Sequence, residues 1–149
     1  MRRIITNRYG FTLAEIMLIF SILALFAGIM VPNFILARQQ SHLTACCDNL
    51  KTISAALEAY AHDNNGKYPA GDGAAVLSKL VPKYIAEVPG CPSCGTLYYY
   101  EGPGELDANG GYAVRCAGHG CHKSVDVPVN YPVYNHLKTG NREGLNLKP

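Results

Sequence analysis

Two short segments of this sequence carry cysteine and histidine at the spacing used by metal-binding turns. Residues 91–95 read Cys-Pro-Ser-Cys-Gly and residues 116–120 read Cys-Ala-Gly-His-Gly. Thiolate and imidazole groups suit Zn²⁺, and the glycine after each pair lets the backbone turn closely around the sulfur atoms. The candidate ligands are Cys91, Cys94, Cys116 and His119. Four protein ligands leave no open position for water, so such a site would be structural and not catalytic.

These two segments flank a predicted β-hairpin. Residues 96–101 and 111–116 have the composition of strands, and a loop rich in glycine joins them. In this respect the C-terminal part resembles a zinc ribbon, which places two such knuckles at the base of a hairpin. The sequence departs from a standard ribbon in having His119 in the fourth place and an extra Cys121 two residues later. Cys121 and His122 are therefore spare candidate ligands.

Glu15 is the only charged residue in the stretch 11–37. A carboxylate near the start of an apolar helix costs on the order of 1 kcal/mol or more, depending on its depth in a bilayer. On one interpretation Glu15 lies at the membrane surface and forms a capping box with Thr12. On the other it requires a cation, such as the α-amino group that Phe11 would carry if the chain were cut after Gly10. The residues alone favour neither interpretation.

The segment around Glu15 has the length and charge of a membrane anchor. Residues 1–10 carry three arginines and no acid, and residues 16–37 are 22 residues without charge. A bilayer core needs about 20 residues of helix, and basic flanks stay in the cytoplasm. A secretory signal cut after Ala27 is the alternative, but the bulky Leu25 suits its cleavage site poorly.

The anchor continues into a second, amphipathic stretch of helix. One apolar stripe at steps of three and four residues is formed by Leu43, Cys47, Leu50, Ile53, Leu57 and Tyr60. Gly28 and Pro32 are tolerable inside a membrane helix, and the Asn-Asn-Gly at 64–66 supplies a C-terminal stop. A single long helix is therefore predicted. Cys46 and Cys47 project about 100° apart on it, so they cannot pair and are interpreted as small buried apolar residues.

The segment 10–15, Gly-Phe-Thr-Leu-Ala-Glu, follows a short basic leader and precedes the apolar run. It resembles the class III signal of type IV pilins and of type II secretion pseudopilins. The resemblance implies that a prepilin peptidase cuts between Gly10 and Phe11, that Phe11 is then N-methylated, and that Glu15 neutralises the amine of a neighbouring subunit. The Asn-Gly-Lys-Tyr-Pro at 65–69 is similar, less specifically, to a turn of the major pseudopilin.

The same resemblance implies partners and a location. The partners would be copies of the chain and other pilins, the prepilin peptidase, an inner-membrane assembly platform and membrane lipid. The chain would cross the inner membrane once, with its N-terminus in the cytoplasm, and then enter a periplasmic or extracellular filament.

A net charge of +2 is too small for a nucleic-acid binder that works by net charge, and no nucleophile–base spacing supports an enzyme.

The implied compartment leaves the role of the cysteines open. Outside the cytoplasm disulfides persist, so Cys91–Cys116 and Cys94–Cys121 are the alternative to zinc. In the chain-entropy model, the loop closed by the first pair would stabilise the folded state by about 3 kcal/mol. The sequence therefore predicts either no cofactor, with two disulfides, or one structural zinc.

The predicted fold is α+β and pilin-like, with one long N-terminal helix packed on a small antiparallel β-sheet domain. Its predicted parts are a leader (1–10), a membrane and filament-core helix (11–37), the amphipathic half of that helix (38–64), a globular domain with a cysteine-rich hairpin (65–137) and a mobile tail (138–149). The predicted function is a structural subunit of a type II secretion pseudopilus or a type IV pilus. The alternative is a single-pass membrane protein that never polymerises and presents a zinc-ribbon-like binding module.

Overall fold

The computed structural model of the protein describes residues 10–103, 110–118, 120–129, 131–136 and 144–147. The chain forms two compact units, Met1–Ile35 and Leu36–Pro149, and the second is called the globular unit here. The predicted leader lies outside the described residues except for Gly10.

The long helix predicted from the apolar pattern is present as α1, Leu13–Asp63. It includes Pro32 in its interior, as expected for its apolar part. Its C-terminal stop works through the predicted Asn-Asn-Gly: Asn65 adopts a left-handed backbone with φ of 57°, and the Gly66 N–H donates to the Ala61 carbonyl at 2.8 Å. That bond satisfies a carbonyl that the end of the helix leaves without an intrahelical partner.

The sheet is an antiparallel meander of four strands in the order β1-β2-β3-β4. The strands are β1 (Tyr98–Glu101), β2 (Tyr112–Cys116), β3 (Val133–His136) and β4 (Gly144–Asn146). Two short 3₁₀ helices, Ala74–Leu80 and Lys123–Val125, lie before β1 and between β2 and β3. The α+β architecture is therefore the one predicted, and the hairpin of β1 and β2 is confirmed.

The last two strands follow the predicted hairpin. The sequence allows a short third strand at residues 125–133, broken by Pro128 and Pro132, and β3 begins at Val133. Pro128 and Pro132 lack the N–H that a ladder needs, so pairing begins beyond them. Within the predicted tail (138–149), β4 pairs with β3. Leu145 packs against the core, which gives this short strand an apolar anchor.

The core of the globular unit lies between the second half of α1 and one face of the sheet. Alternation along the strands places Tyr98 and Tyr100 in this core and Tyr99 on the opposite face. The fully or nearly fully buried members from α1 are Cys46, Leu50, Ile53, Ala56 and Leu57. The first 3₁₀ helix adds Val76, Leu77 and Leu80.

Three core tyrosines also reach hydrogen-bond partners across this interface. The Tyr98 hydroxyl donates to the Cys46 carbonyl at 3.4 Å, and the Tyr100 hydroxyl donates to the Pro69 carbonyl at 2.9 Å. The Tyr112 hydroxyl lies 3.2 Å from a carboxylate oxygen of Glu58. Because a buried phenol needs a partner, the bonds of Tyr98 and Tyr112 fix where their strands lie along α1, and the bond of Tyr100 holds the loop that follows α1.

Replacing Leu57 with alanine is expected to lower the free energy of unfolding of the globular unit by about 2–5 kcal/mol, because this fully buried side chain would leave a cavity. Leu97→Ala is the matched control, since Leu97 is 54% exposed, and it should cost less than about 1 kcal/mol. Urea unfolding of the full chain in detergent, followed by tyrosine fluorescence, measures both. Equal losses would contradict the assignment of Leu57 to the core.

Candidate functional site

The residues predicted for processing and assembly lie at the start of α1. Gly10 and Phe11 precede the helix, and the Phe11 side chain is 79% exposed. The Glu15 carboxylate accepts hydrogen bonds from the Thr12 backbone N–H at 2.8 Å and from the Thr12 hydroxyl at 2.7 Å. The Glu15 N–H donates in return to the Thr12 hydroxyl oxygen at 3.3 Å. This reciprocal pair is a capping box, which satisfies free N–H groups at the helix start.

The first half of α1 presents apolar side chains on every side. All of its large apolar side chains from Phe11 to Leu36 are at least 40% exposed. By length and composition α1 qualifies as a membrane-crossing helix. An apolar surface of this extent needs a bilayer or other helices to cover it.

A second cluster of polar groups lies inside the globular unit. The sulfur atoms of three cysteines and a ring nitrogen of one histidine all lie within 4.8 Å of one another. These residues are Cys46, Cys91, Cys116 and His122, and none is more than 2% exposed. They come from α1, the loop before β1, the last residue of β2 and the turn before the second 3₁₀ helix. We call this set the inner cluster.

Hydrogen bonds hold two members of the inner cluster in place. His122 Nε2 lies 3.5 Å from the Cys91 sulfur, and the other ring nitrogen, Nδ1, lies 3.3 Å from the Ser93 hydroxyl. The backbone N–H groups of Ser93 and Cys94 favour the thiolate of Cys91, although burial, which has the larger effect, raises the pKa of this thiol. The turn at 91–94 thus orients both a thiol and an imidazole toward the same point.

The thiols of the inner cluster differ in acidity. The pKa of Cys116 is lowered to about 5, first because the Cys46 thiol donates a hydrogen bond to it. The Gly118 N–H, the Cys91 thiol and the nearby His122 add to this stabilisation of the Cys116 thiolate, while burial opposes it. The same hydrogen bond and its own burial raise the pKa of Cys46. The cluster therefore favours the thiolate form at Cys116 over Cys46, and the thiolate is the form that binds metals.

The remaining two cysteines of the hairpin base form a disulfide, Cys94–Cys121, with Cα atoms 5.8 Å apart. Both sulfurs of this bond also lie within 4.8 Å of the Cys91 sulfur, so the disulfide packs directly beside the inner cluster. Gly118 approaches the bond so closely that a Cβ atom at this position would collide with both sulfurs. The glycine in the second turn is therefore a steric requirement of the cross-link.

The chain is similar in sequence to proteins from several bacteria. It is 33% identical over 106 residues to the type II secretion system core protein G of Pseudomonas aeruginosa, with 64% of this chain and 74% of the relative covered. It is 31% identical over 110 residues to the protein of the same name from Pectobacterium carotovorum, with 64% and 68% covered. The chain belongs to the pilin and pseudopilin family.

A further relative of this pilin-like subunit is PilA4, the major component of the type IV wide pilus of Thermus thermophilus. The two are 34% identical over 59 residues, which cover 40% of this chain and 45% of PilA4. No protein-family model matches the chain, and no solved structure does. The predicted family is confirmed, and the subunit is a structural protein and not an enzyme.

The structure distributes the predicted metal ligands of the pilin-like subunit differently from the sequence pattern. It brings Cys91 and Cys116 together as unbonded thiols, but it places Cys94 in a disulfide with Cys121. His119 lies outside the described residues. Of the two alternative disulfides, the bond of Cys94 with Cys121 is present and the bond of Cys91 with Cys116 is not.

The two residues that complete the inner cluster were not in the predicted ligand set. His122 was named only as a spare candidate, and Cys46 was interpreted as a buried apolar residue. Cys46 is indeed buried, but its sulfur faces the cysteines of the hairpin. One signal was available, since Cys46 lies four residues before Leu50 and seven before Ile53, on the face of α1 that packs on the sheet.

Removing the disulfide with the double substitution Cys94→Ala and Cys121→Ala is expected to lower the free energy of unfolding by about 3 kcal/mol, because the cross-link restricts the unfolded chain. Urea unfolding of the full chain without reductant measures this loss. Thiol titration of the denatured, unreduced wild-type chain should find the four thiols of Cys46, Cys47, Cys91 and Cys116.

Wild-type protein treated with a mild reductant is the control and should approach the stability of the double variant. A double variant as stable as the untreated wild type, or a count of six thiols before reduction, would contradict the disulfide.

Proposed function

We propose that this pilin-like subunit polymerises into a type II secretion pseudopilus after its leader is removed between Gly10 and Phe11. The matches to the core protein G of two bacteria cover more than two thirds of each relative and support this filament. The match to PilA4 covers a smaller part of both chains, so a type IV pilus is the second choice.

The observation that carries the proposal is the position of the Glu15 carboxylate. It is the only charge in the stretch 11–37, and it lies on a helix surface that is otherwise apolar and exposed. Within the described part of the chain its hydrogen bonds come from Thr12 alone. Both bonds from Thr12 end on one carboxylate oxygen and neither neutralises the charge, so burying this surface against lipid or protein would remain costly.

Processing would supply the missing counter-ion. Cleavage after Gly10 gives Phe11 a positively charged amine, four residues before Glu15 in the sequence. When the helices of two subunits pack side by side, the amine of one can meet the carboxylate of the other. Both charges then enter the apolar bundle as a pair, and the geometry of that pair sets the stagger between neighbouring subunits.

The apolar half of α1 suits transfer from a bilayer to such a bundle. Its side chains are exposed in the single chain, and lipid tails cover them in the membrane. Helix packing in a filament core would replace lipid contacts by protein contacts of similar polarity, so close packing and the charge pair decide the balance. The subunit can therefore leave the membrane without exposing this surface to water.

The proposed location and partners follow from the same segment. The arginines of residues 1–10 would keep the leader in the cytoplasm, where the prepilin peptidase would remove it. The inner-membrane assembly platform would then act on the processed subunit. The globular unit would then lie in the periplasm and form the outer shell of the filament. Copies of this chain and other pilins are its proposed neighbours.

The alternative function, a membrane protein that presents a zinc-binding module to a partner, is not favoured. The ligand atoms of the inner cluster are buried, so this cluster is not a surface that a partner reads. Assembly as proposed uses no cofactor, because both counter-ions belong to the polypeptide. A structural zinc would serve the folding of the globular unit instead.

Removing the charge of Glu15 is expected to lower incorporation into filaments by at least about tenfold, because an amine without its counter-ion would be buried. Glu15→Gln is the informative variant, since glutamine preserves the capping box and removes only the charge. The amount of subunit in sheared filaments, relative to the amount in the membrane, is the measurement.

Thr12→Ala is the matched control for this experiment, since it removes the cap and keeps the charge. It should assemble nearly as well as the wild type. Normal assembly of Glu15→Gln would contradict the charge pairing, and a defect confined to Thr12→Ala would assign Glu15 to helix capping alone.

The mature chain is expected to begin at an N-methylated Phe11, and Gly10→Leu is expected to remain at full length because a bulky residue would block the cut. Mass spectrometry of the intact protein from the membrane fraction checks both. Gly28→Leu, a second glycine in the same segment with open space around it, is the control and should be trimmed normally. A wild-type chain that begins at Met1, or just after Ala27, would rule out the proposed processing.

A further inference from the structure

The inner cluster contains an odd number of thiols. Disulfides use thiols in pairs, so oxidation among Cys46, Cys91 and Cys116 would leave one thiol and His122 buried together without use. A single tetrahedral metal ion uses all four donors at once. One disulfide would use two of the three thiols, whereas one metal ion would use all three thiols and the imidazole, so the composition of the cluster favours a metal over oxidation.

We propose that Cys46, Cys91, Cys116 and His122 bind one Zn²⁺ as a structural site inside the globular unit. Three thiolates and one imidazole form one of the common closed zinc sites, and they leave no position for water or substrate. The proposal concerns the fold of this unit and does not depend on filament assembly.

The distances in the cluster fit this geometry. Zinc binds sulfur at about 2.3 Å and nitrogen at about 2.0–2.1 Å, so the edges of the tetrahedron are about 3.8 Å between sulfurs and about 3.6 Å between sulfur and nitrogen. The Cys91 sulfur lies 3.5 Å from His122 Nε2. Because all four donor atoms lie within 4.8 Å of one another, small side-chain rotations suffice to close the site.

The surroundings of the cluster are those of a metal site. A ligating histidine usually donates its other ring N–H to a fixed acceptor, which sets the tautomer and the ring orientation. Here the Ser93 hydroxyl lies 3.3 Å from His122 Nδ1 and can accept that hydrogen, so that Nε2 presents its lone pair to the sulfur atoms.

The position of Cys46 gives the site its structural role. Cys46 lies on α1, and Tyr98 of β1 donates to its carbonyl, so the helix and the hairpin are already in register there. A zinc ion at this point would join α1, the turn at 91–94, the end of β2 and the turn at His122. The site therefore differs from a zinc ribbon, whose ligands come from the two turns alone.

Metal analysis of the full chain, purified in detergent and supplied with Zn²⁺ alone, tests the proposal. The wild type is expected to hold about one zinc per chain, and Cys46→Ala and His122→Ala are expected to lower the zinc content by at least about tenfold. The chain offers a matched control for each. Cys47→Ala changes the neighbouring buried cysteine, whose sulfur is outside the cluster, and His119→Ala changes the histidine of the sequence pattern.

The controls separate this site from the alternatives. Full zinc in Cys47→Ala, in His119→Ala and in the double variant Cys94→Ser with Cys121→Ser supports the inner cluster. Zinc that survives Cys46→Ala but is lost with Cys94→Ser or His119→Ala would assign a ribbon and overturn the proposal. A wild type without zinc, in which peptide mapping finds Cys91 joined to Cys116, would overturn it as well.

Two further variants keep the test decisive if a ligand substitution prevents folding. His122→Cys should restore zinc binding and shift the Co²⁺ absorption spectrum toward that of a four-sulfur site, which loss of folding cannot do. Ser93→Ala should keep one zinc but weaken its affinity by about tenfold in a chelator competition, because the ring loses its acceptor. Absence of zinc in His122→Cys together with unchanged affinity in Ser93→Ala would exclude His122 as a ligand.

Discussion

The packing of α1 on the tyrosine-rich face of the sheet is the interaction on which the rest of the globular unit depends. Leu50, Ile53 and Leu57 supply the apolar contact, and the tyrosines of β1 and β2 supply both area and hydrogen bonds to the helix. An apolar contact tolerates small displacements, whereas a buried hydroxyl must stay within hydrogen-bonding distance of its partners. The tyrosines therefore set the register that brings Cys46 of α1 to the base of the hairpin.

The cysteines are divided according to this register. The first residue of each turn, Cys91 and Cys116, points into the core toward α1, whereas Cys94 lies at the surface and bonds to Cys121. A small unit with few large aliphatic side chains gains much from such cross-links, because its core alone buries limited apolar area. The outer bond closes the hairpin base, and the inner cluster lies between that base and the helix.

The N-terminal half of α1 is stabilised in a different way from the globular unit. Its surface is apolar on all sides and carries one carboxylate, which accepts hydrogen bonds from Thr12 and keeps its negative charge. The stability of this segment therefore depends on what surrounds it, first lipid and then neighbouring helices in the proposed filament. The globular unit, by contrast, holds its own core. The pilin-like subunit thus combines a helical segment that needs lipid or neighbouring helices around it with a globular unit that is stabilised by its own core.

Residues close together in the sequence predicted the long helix, its stop at Asn65 and Gly66, and the strands β1 and β2. The resemblance at residues 10–15 also depends on residues a few positions apart. The contacts of the cysteines could not be predicted from neighbouring residues in the same way. Spacing placed Cys91 and Cys94 in one turn, but only packing decided that the first faces α1 and the second faces Cys121. Cys46 is far away in the chain, and its approach depends on how a helix face meets a sheet face. Periodicity reports which face of an element is buried, whereas the residue that it meets there is fixed by the tertiary structure.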